Sequence, residues 1–447
     1  MEQLRRIINY YNTEPARGKD FPDQATLLVR FLCRWLVSSA FRWNHLAAKF
    51  PGVKVSTVLL ARQALTPLER IDNAVLVIEE GSISAIGSRE AVVIPAAARV
   101  VELGDSILTP GLIDIHIHGA AGHDVMEGSE EGLDAVEHLL ARHGVTGYLP
   151  TTVSAPMDDT LRSLEKLAGA RKRQPGKNVV KAQPLGIHLE GPFLSHARRG
   201  VHSPIYLQPP SVEAFSRMSD AAHGEIRMMT IAPELDGALE TIAEAARREV
   251  LVSIGHSNAN LEEARAGIRA GARHATHTFN AMRRLDHRDP GVLGAVLTDN
   301  NLTADIIPDG MHVQPEVLDL FLRAKGLDRA VLITDAISAT GMPDGRYRLG
   351  AYEVSVREGR CESHGKLAGS VLTLDRAVSN VMRFARTGFC EAIRLATLNP
   401  ARVLGIAGRK GVLQPGADAD IAVFSPAGEV RQTIVRGIVF SSAAHQA

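Results

Sequence analysis

Two histidines, His116 and His118, stand one residue apart in "DIHIHG", directly behind the apolar run "ILTPGLI". In an extended strand alternate residues share a face, so both imidazoles point the same way. The same residue types recur at the ends of other apolar runs. His188 and Glu190 stand two apart in "GIHLEGPF", His256 follows in "SIGHS", His277 and Asn280 in "THTFNAM", and Asp335 in "LITDA". Imidazole and carboxylate are ligands for zinc and other borderline divalent metals. Glu190, His256 and His277 can hold one ion with a position left for water, and His116 and His118 can help to hold a second, with Glu190 placed to bridge. Such an ion lowers the pKa of water and polarises a carbonyl. Asp335 is suited to take the proton of the attacking water and to deliver it to the departing nitrogen or oxygen. The segment "IRMMTIAPE" has no lysine to act as a bridging carbamate, so Glu190 takes that role. Each residue also has an ordinary reading: a lone strand histidine is commonly structural, Asp335 can cap a helix, and Glu190 can be a buried ion-pair partner. Several such groups at one rim without a metal would leave costly unpaired polar groups. The chemical reading therefore requires the segments to converge.

The elements that carry these residues alternate between strand and helix. "GYLPTTVS", "PLGIHLEGPF", "IRMMTIAPE", "VLVSIGHS", "RHATHTFNAM", "TADIIPDG" and "AVLITDA" continue the series begun by "ILTPGLIDIHIHG". Helical patterns such as "SEEGLDAVEHLLARHG" and "NLEEARAGIRAG" follow most of them. Eight such units over residues 107–400 predict a (β/α)8 TIM-like barrel, whose chemistry sits at the carboxyl ends of the strands. An open doubly wound sheet is disfavoured, because no Gly-rich phosphate fingerprint opens the first unit. Short β-rich runs at 53–106 and 401–447 predict a small β-sandwich domain formed by segments from both ends of the chain. Residues 1–52 form an N-terminal extension. Its arginine-broken apolar patch "LLVRFLCRWLVSSAF" reads as an amphipathic helix or as sequence translated upstream of the usual start.

Fifty basic residues balance fifty acidic ones, so charge gives no reason to expect a nucleic-acid or anionic-membrane partner. No run of 18 apolar residues is present, and no membrane association is expected. Three cysteines without a CxxC pair suit a reducing compartment, and a cytoplasmic location is expected.

"PGLIDIHIHG" resembles the strand-one signature of the amidohydrolase superfamily. "GIHLEGPFLS", "GHSNA", "THTFNAM", "PDGMHV", "TDAISATGMPDG" and "KLAGSVLTLDRAV" together resemble the N-acetylglucosamine-6-phosphate deacetylase family, over about residues 53–440. The resemblance implies hydrolysis of N-acetyl-D-glucosamine 6-phosphate to D-glucosamine 6-phosphate and acetate, by a water that the metal activates. It implies one or two divalent ions per subunit, Zn first and Fe, Mn or Co also suited, and a homodimer. Glu190, His256 and His277 match the ligands of the conserved metal, His116 and His118 the pair used by two-metal members, and Asp335 the catalytic aspartate. His202 matches a histidine near the acetamido carbonyl, where it can act on the oxyanion. Val201, Asn280, Ala281, Arg288, His312, Leu367, Ala368 and Gly369 match positions that contact or line the site of the amino-sugar phosphate. Read without the family, Arg288 is a solvated residue of a polar turn. Two alternatives stand beside this reading: another amidohydrolase, such as a cyclic-amide hydrolase, D-aminoacylase or deaminase, and a non-catalytic sugar-phosphate sensor.

Overall fold

The computed structural model describes residues 56–173 and 179–439. The extension expected at 1–52 lies outside the described residues. Eight strands form the barrel wall: Leu112–Ile117, Val145–Pro150, Ile187–Glu190, Ile226–Ile231, Leu251–Ile254, His274–Ala275, Ala304–Ile306 and Ala330–Leu332. Strand one pairs in parallel with two, three to six form one parallel ladder, and seven pairs with eight. A parallel bridge, Thr151 to His188, joins strands two and three. The Thr278 N–H donates to the Asp305 carbonyl at 2.9 Å, joining six to seven. Closure falls between strands eight and one: the Asp335 N–H donates to the His116 carbonyl at 2.9 Å, and the His118 N–H to the Ala336 carbonyl at 2.8 Å.

Barrel strands are covered on both faces, so their sequences are continuous apolar runs rather than alternating ones. Leu112, Ile113, Ile115 and Ile117 are all buried. The covering helices start where capping residues satisfy their free amides. Ser129 caps Glu130–Arg142, and Asn260 forms a reciprocal capping box with Glu263 at the head of Leu261–Ala270. Leu133, Val136 and Leu140 mark the buried stripe of the first helix at intervals of three and four. Gly291–Thr298, the helix after strand six, is apolar almost all round and buried, so it has no amphipathic signature to read. No helix among the described residues is long and apolar enough to cross a membrane.

The small β-sandwich domain is built from both ends of the chain. Ile107–Pro110 pairs with Thr57–Leu65 on one side and antiparallel with Ile421–Phe424 on the other. Period-two alternation splits the apolar residues between two cores: Leu59, Leu76, Ile421 and Ile434 on one face, Val58, Leu60, Val75 and Val77 on the other. Gly111 alone separates the sheet strand Ile107–Pro110 from barrel strand one.

One element was not anticipated. Between strand eight and its helix Leu374–Ala385 lies an antiparallel meander: Gly345–Leu349, Tyr352–Arg357, Arg360–Ser363 and Lys366–Leu367. It has its own core of Leu349, Val354, Val356, Cys361 and Ala368, packed on Ile337 and Ala339. Its signal is visible in retrospect: "YEVSVR" alternates, and the turn glycines Gly350 and Gly359 have φ of +55° and +74°.

Candidate active site

The strand ends deliver six donors to one buried point. His116, His118, Glu190, His256, His277 and Asp335 are each at most 9% exposed. They form two triangles. In the first, Glu190 Oε1 lies 3.3 Å from His256 Nε2 and 3.2 Å from His277 Nε2, and the two nitrogens are 3.0 Å apart. In the second, His116 Nε2 and His118 Nε2 are 3.2 Å apart, and Asp335 Oδ1 is 3.5 and 3.2 Å from them. The Glu190 carboxylate spans both, with Oε1 3.5 Å from His116 Nε2 and Oε2 3.3 Å from His118 Nε2. Donors about 2.0–2.1 Å from a tetrahedral ion lie about 3.3 Å from one another. Both triangles have edges of this length, so the donor set fits one or two divalent ions.

The backbone carries strain at these positions. His256, His277 and Asp335 have φ of 47°, 32° and 50°, in the left-handed region. Such residues cost on the order of 1 kcal/mol each and cluster at functional sites. Neighbouring contacts hold them there. Asp305 accepts the His277 N–H, and the Ser370 N–H donates to the Asp335 carbonyl at 2.8 Å. Gly369, with φ +61°, lets its loop approach: a Cβ there would sit 2.9 Å from the Asp335 carbonyl oxygen.

Hydrogen bonds on the far side of the rings sort the histidines by role. A carbonyl oxygen only accepts, so the neutral ring beside it carries its proton on Nδ1. His118 Nδ1 faces the Thr151 carbonyl at 3.0 Å, and His256 Nδ1 the Arg198 carbonyl at 2.9 Å. Their Nε2 lone pairs are thereby free for a metal. His202 is the reverse case. The Ser154 N–H can only donate, and it reaches His202 Nδ1 at 3.2 Å. The neutral His202 ring therefore carries its proton on Nε2, which lies 3.6 Å from Glu190 Oε2. This makes His202 a hydrogen-bond donor at the edge of the cage. His116 and His277 have buried Nδ1 atoms without a hydrogen-bond partner among the described residues.

The charges are strongly coupled. Burial raises the Glu190 carboxyl, but His116, His118 and His202 outweigh it and hold Glu190 well below the usual carboxylate range. Asp335 is likewise held low by His116 and His118 against its burial. Burial opposes charge on His118 and His277, yet Glu190 and Asp335 raise these rings to about 10 and about 9. His256 is pushed down to about 4, chiefly by burial. The cage thus demands positive charge, which two imidazolium protons or a divalent cation can supply.

The substrate positions expected from the sequence have different settings. Val201 packs against the core of the meander, and Ala368 is buried within it. Leu367 ends the last meander strand. Asn280 and Ala281 follow His277 on a half-buried turn, where Ala281 has φ 50°. His312 is held by Asp309, with Nδ1 2.7 Å from Oδ2. Arg288 is exposed on the loop after strand six, its N–H bonded to Asp286.

Several supporting residues went unremarked in the sequence. Asp114 accepts the Thr334 hydroxyl at 2.6 Å and ties strand one to strand eight below the cage; burial raises it to about 6. Asp305 stands inside the apolar run of strand seven, a misfit that could have marked it. Glu234, after strand four, accepts from the Ser257 hydroxyl at 2.8 Å and the Asn258 N–H at 2.6 Å, steadying the turn that carries His256. Thr151 and Ser154 follow the same strand-end rule as the ligands, on strand two.

Comparison with known proteins agrees with this geometry. The amidohydrolase family profile matches residues 107–439. The chain is 38% identical over 382 residues to the N-acetylgalactosamine-6-phosphate deacetylase of Escherichia coli O157:H7, covering 85% of this chain and 98% of that protein. It is 36% identical to the N-acetylglucosamine-6-phosphate deacetylase of Bacillus subtilis (strain 168), over 83% of this chain and 94% of that one. Among solved structures, a point-mutant N-acetyl-D-glucosamine-6-phosphate deacetylase from Mycobacterium smegmatis in complex with N-acetyl-D-glucosamine-6-phosphate superposes with a TM-score of 0.80. The two are 34% identical, and the match covers 86% of this chain and 100% of that one. With the barrel closed, the donors converged and the profile spanning both, the chain belongs to the amidohydrolase family.

Proposed function

We propose that this protein hydrolyses the acetamide of N-acetyl-D-glucosamine 6-phosphate, releasing acetate and D-glucosamine 6-phosphate. The observation that carries the reading is the buried cage in which Glu190 spans two metal-sized triangles, with Asp335 at its edge. Glu190, His256 and His277 would hold a divalent ion, which would supply Lewis acidity at the acetyl carbonyl and acidify water. Zinc suits this N/O donor set first, with Fe, Mn and Co also suited. His116 and His118 would help to hold a second ion. Asp335, acceptor-only when ionised, takes the proton of the attacking water and returns it to the departing amine. The Nε2–H of His202 donates to the acetyl oxygen as negative charge develops there.

Arg288 and His312 recognise the phosphate. A phosphate dianion favours charged donors, and a guanidinium offers a planar pair of them. Val201, Asn280, Ala281 and the loop Leu367–Gly369 line the sugar. A homodimer is the assembly that the family resemblance implies. A second reading has a specific basis: a relative 38% identical is named for N-acetylgalactosamine 6-phosphate, which differs only at one sugar hydroxyl. Acetate release from the two epimeric 6-phosphates and from unphosphorylated N-acetylglucosamine tests the assignment. The proposal expects the glucosamine 6-phosphate derivative to have the highest kcat/KM, with loss of activity on chelation. A higher value for the galactosamine epimer would move the assignment to it.

A further inference from the structure

One hydroxyl of the meander inserted after barrel strand eight is hydrogen-bonded into the segments that hold His202. Tyr352 Oη accepts the Ser203 N–H at 2.9 Å and donates to the Ser154 carbonyl at 3.0 Å. Ser154 in turn meets His202 Nδ1 with its N–H at 3.2 Å and its Oγ at 2.9 Å. Ser203 is the residue after His202. The contacts close a ring that runs from Tyr352 to Ser154, to the imidazole, along the chain to Ser203 and back to Tyr352. Within it, His202 and Ser154 are each 3% exposed. The body of Tyr352 packs with Val201 on the meander core. The same loop is tied to the metal triangle, since the Ser195 N–H donates to the His256 carbonyl at 3.0 Å and the Arg198 carbonyl faces His256 Nδ1.

We propose that Tyr352 is a positioning residue for the hydrolysis, acting by locking His202 in the orientation and tautomer that aim its Nε2–H into the site. The inference rests on the donor role assigned to His202 above. The physical case is that a donor stabilises a developing oxyanion only if its direction is set before the reaction. The direction of His202 depends on the Ser154 N–H staying on Nδ1. The Tyr352 hydroxyl holds the Ser154 carbonyl on one side and the Ser203 N–H on the other, and so fixes the residue whose N–H meets Nδ1. Without that hydroxyl, Ser154 can move off Nδ1. The proton can then pass to Nδ1, leaving a lone pair where a donor is required. Through Tyr352 the inserted meander thereby acquires a part in orienting His202.

Tyr352→Phe keeps the ring and its packing and removes only the hydroxyl. The expected result is a kcat lower by roughly five- to tenfold, as for loss of one buried hydrogen-bonded link, with KM within about twofold and metal content unchanged. A looser fold would lower activity whatever stands at 202, so the deciding measurement is a double-mutant cycle with His202→Gln. In that background Tyr352→Phe is expected to change kcat by less than about twofold, because the group it positions is gone. Ser154→Ala, which removes one of the two contacts on Nδ1, is expected to show the same dependence on His202. A Tyr352→Phe enzyme with kcat within twofold of the parent overturns the proposal, as does a loss of equal size in the His202→Gln background. If His202→Gln itself retains the parent kcat, the donor role fails and the inference falls with it. If His202→Gln is impaired while Tyr352→Phe is normal, only the inference falls.

Discussion

Replacing Asp335 by Asn separates proton transfer from the other work a carboxylate does at this position. The backbone at Asp335 has φ 50°, a conformation that Asn adopts readily and Ala does not, so Asn avoids a strain penalty of about 1 kcal/mol. The two main-chain bonds that hold it, to the His116 carbonyl at 2.9 Å and from the Ser370 N–H at 2.8 Å, are untouched. Asn also matches the carboxylate in size within a site where Asp335 is 9% exposed. The charge facing His118 Nε2 at 3.2 Å and His116 Nε2 at 3.5 Å is removed, and with it the base. We expect a folded, metal-loaded variant that binds substrate and has kcat reduced by at least about 10², or about 2.7 kcal/mol in the barrier. Metal content by elemental analysis, substrate affinity by calorimetry and kcat by acetate release are measured on one preparation. A folded, metal-loaded Asp335→Asn enzyme with kcat within tenfold of the parent would refute the assignment of Asp335 as the base.

Four further outcomes follow from the same geometry. His256→Asn or His277→Asn, which suits the left-handed backbone at both positions, is expected to lower metal content and activity more than His116→Asn or His118→Asn, since the first pair shares the triangle with Glu190 Oε1; elemental analysis and turnover give the ranking. Metal binding to apo-protein at neutral pH is expected to release protons, because His118 and His277, raised to about 10 and about 9, hold them there until the ion displaces them. By mass action affinity then weakens as pH falls, and calorimetry in buffers of different ionisation heat reads the proton count. Arg288→Ala is expected to shrink the preference for phosphorylated over unphosphorylated sugar, checked by the ratio of the two kcat/KM values. Removal of residues 1–52 is expected to leave kcat/KM within about tenfold, roughly 1.4 kcal/mol; a larger loss in a folded truncation contradicts dispensability.

Residue type and local pattern were enough to mark side chains suited to metal and proton chemistry, and the strands and helices that carry them. A barrel strand is buried on both faces, so a polar residue at its end stands out against an apolar run, and "DIHIHG", "HLEGPF", "SIGHS" and "TDA" were legible for that local reason. The amphipathic helices were legible because their apolar residues repeat every three to four positions. The buried helix Gly291–Thr298 lacks that contrast and escaped notice. The roles of the histidines were decided only by tertiary contacts. His202 and His256 are the same residue type, yet one meets a main-chain N–H 48 residues away and the other a main-chain carbonyl 58 residues away. The first ring in its neutral form presents an N–H on Nε2 and the second a lone pair, and no local pattern encodes the difference. The metal-sized spacing is non-local too, since Glu190 and His277 are 87 residues apart in the chain. Side-chain type is written residue by residue. Distance, tautomer and left-handed backbone are set by hydrogen bonds that exist only once the barrel has closed.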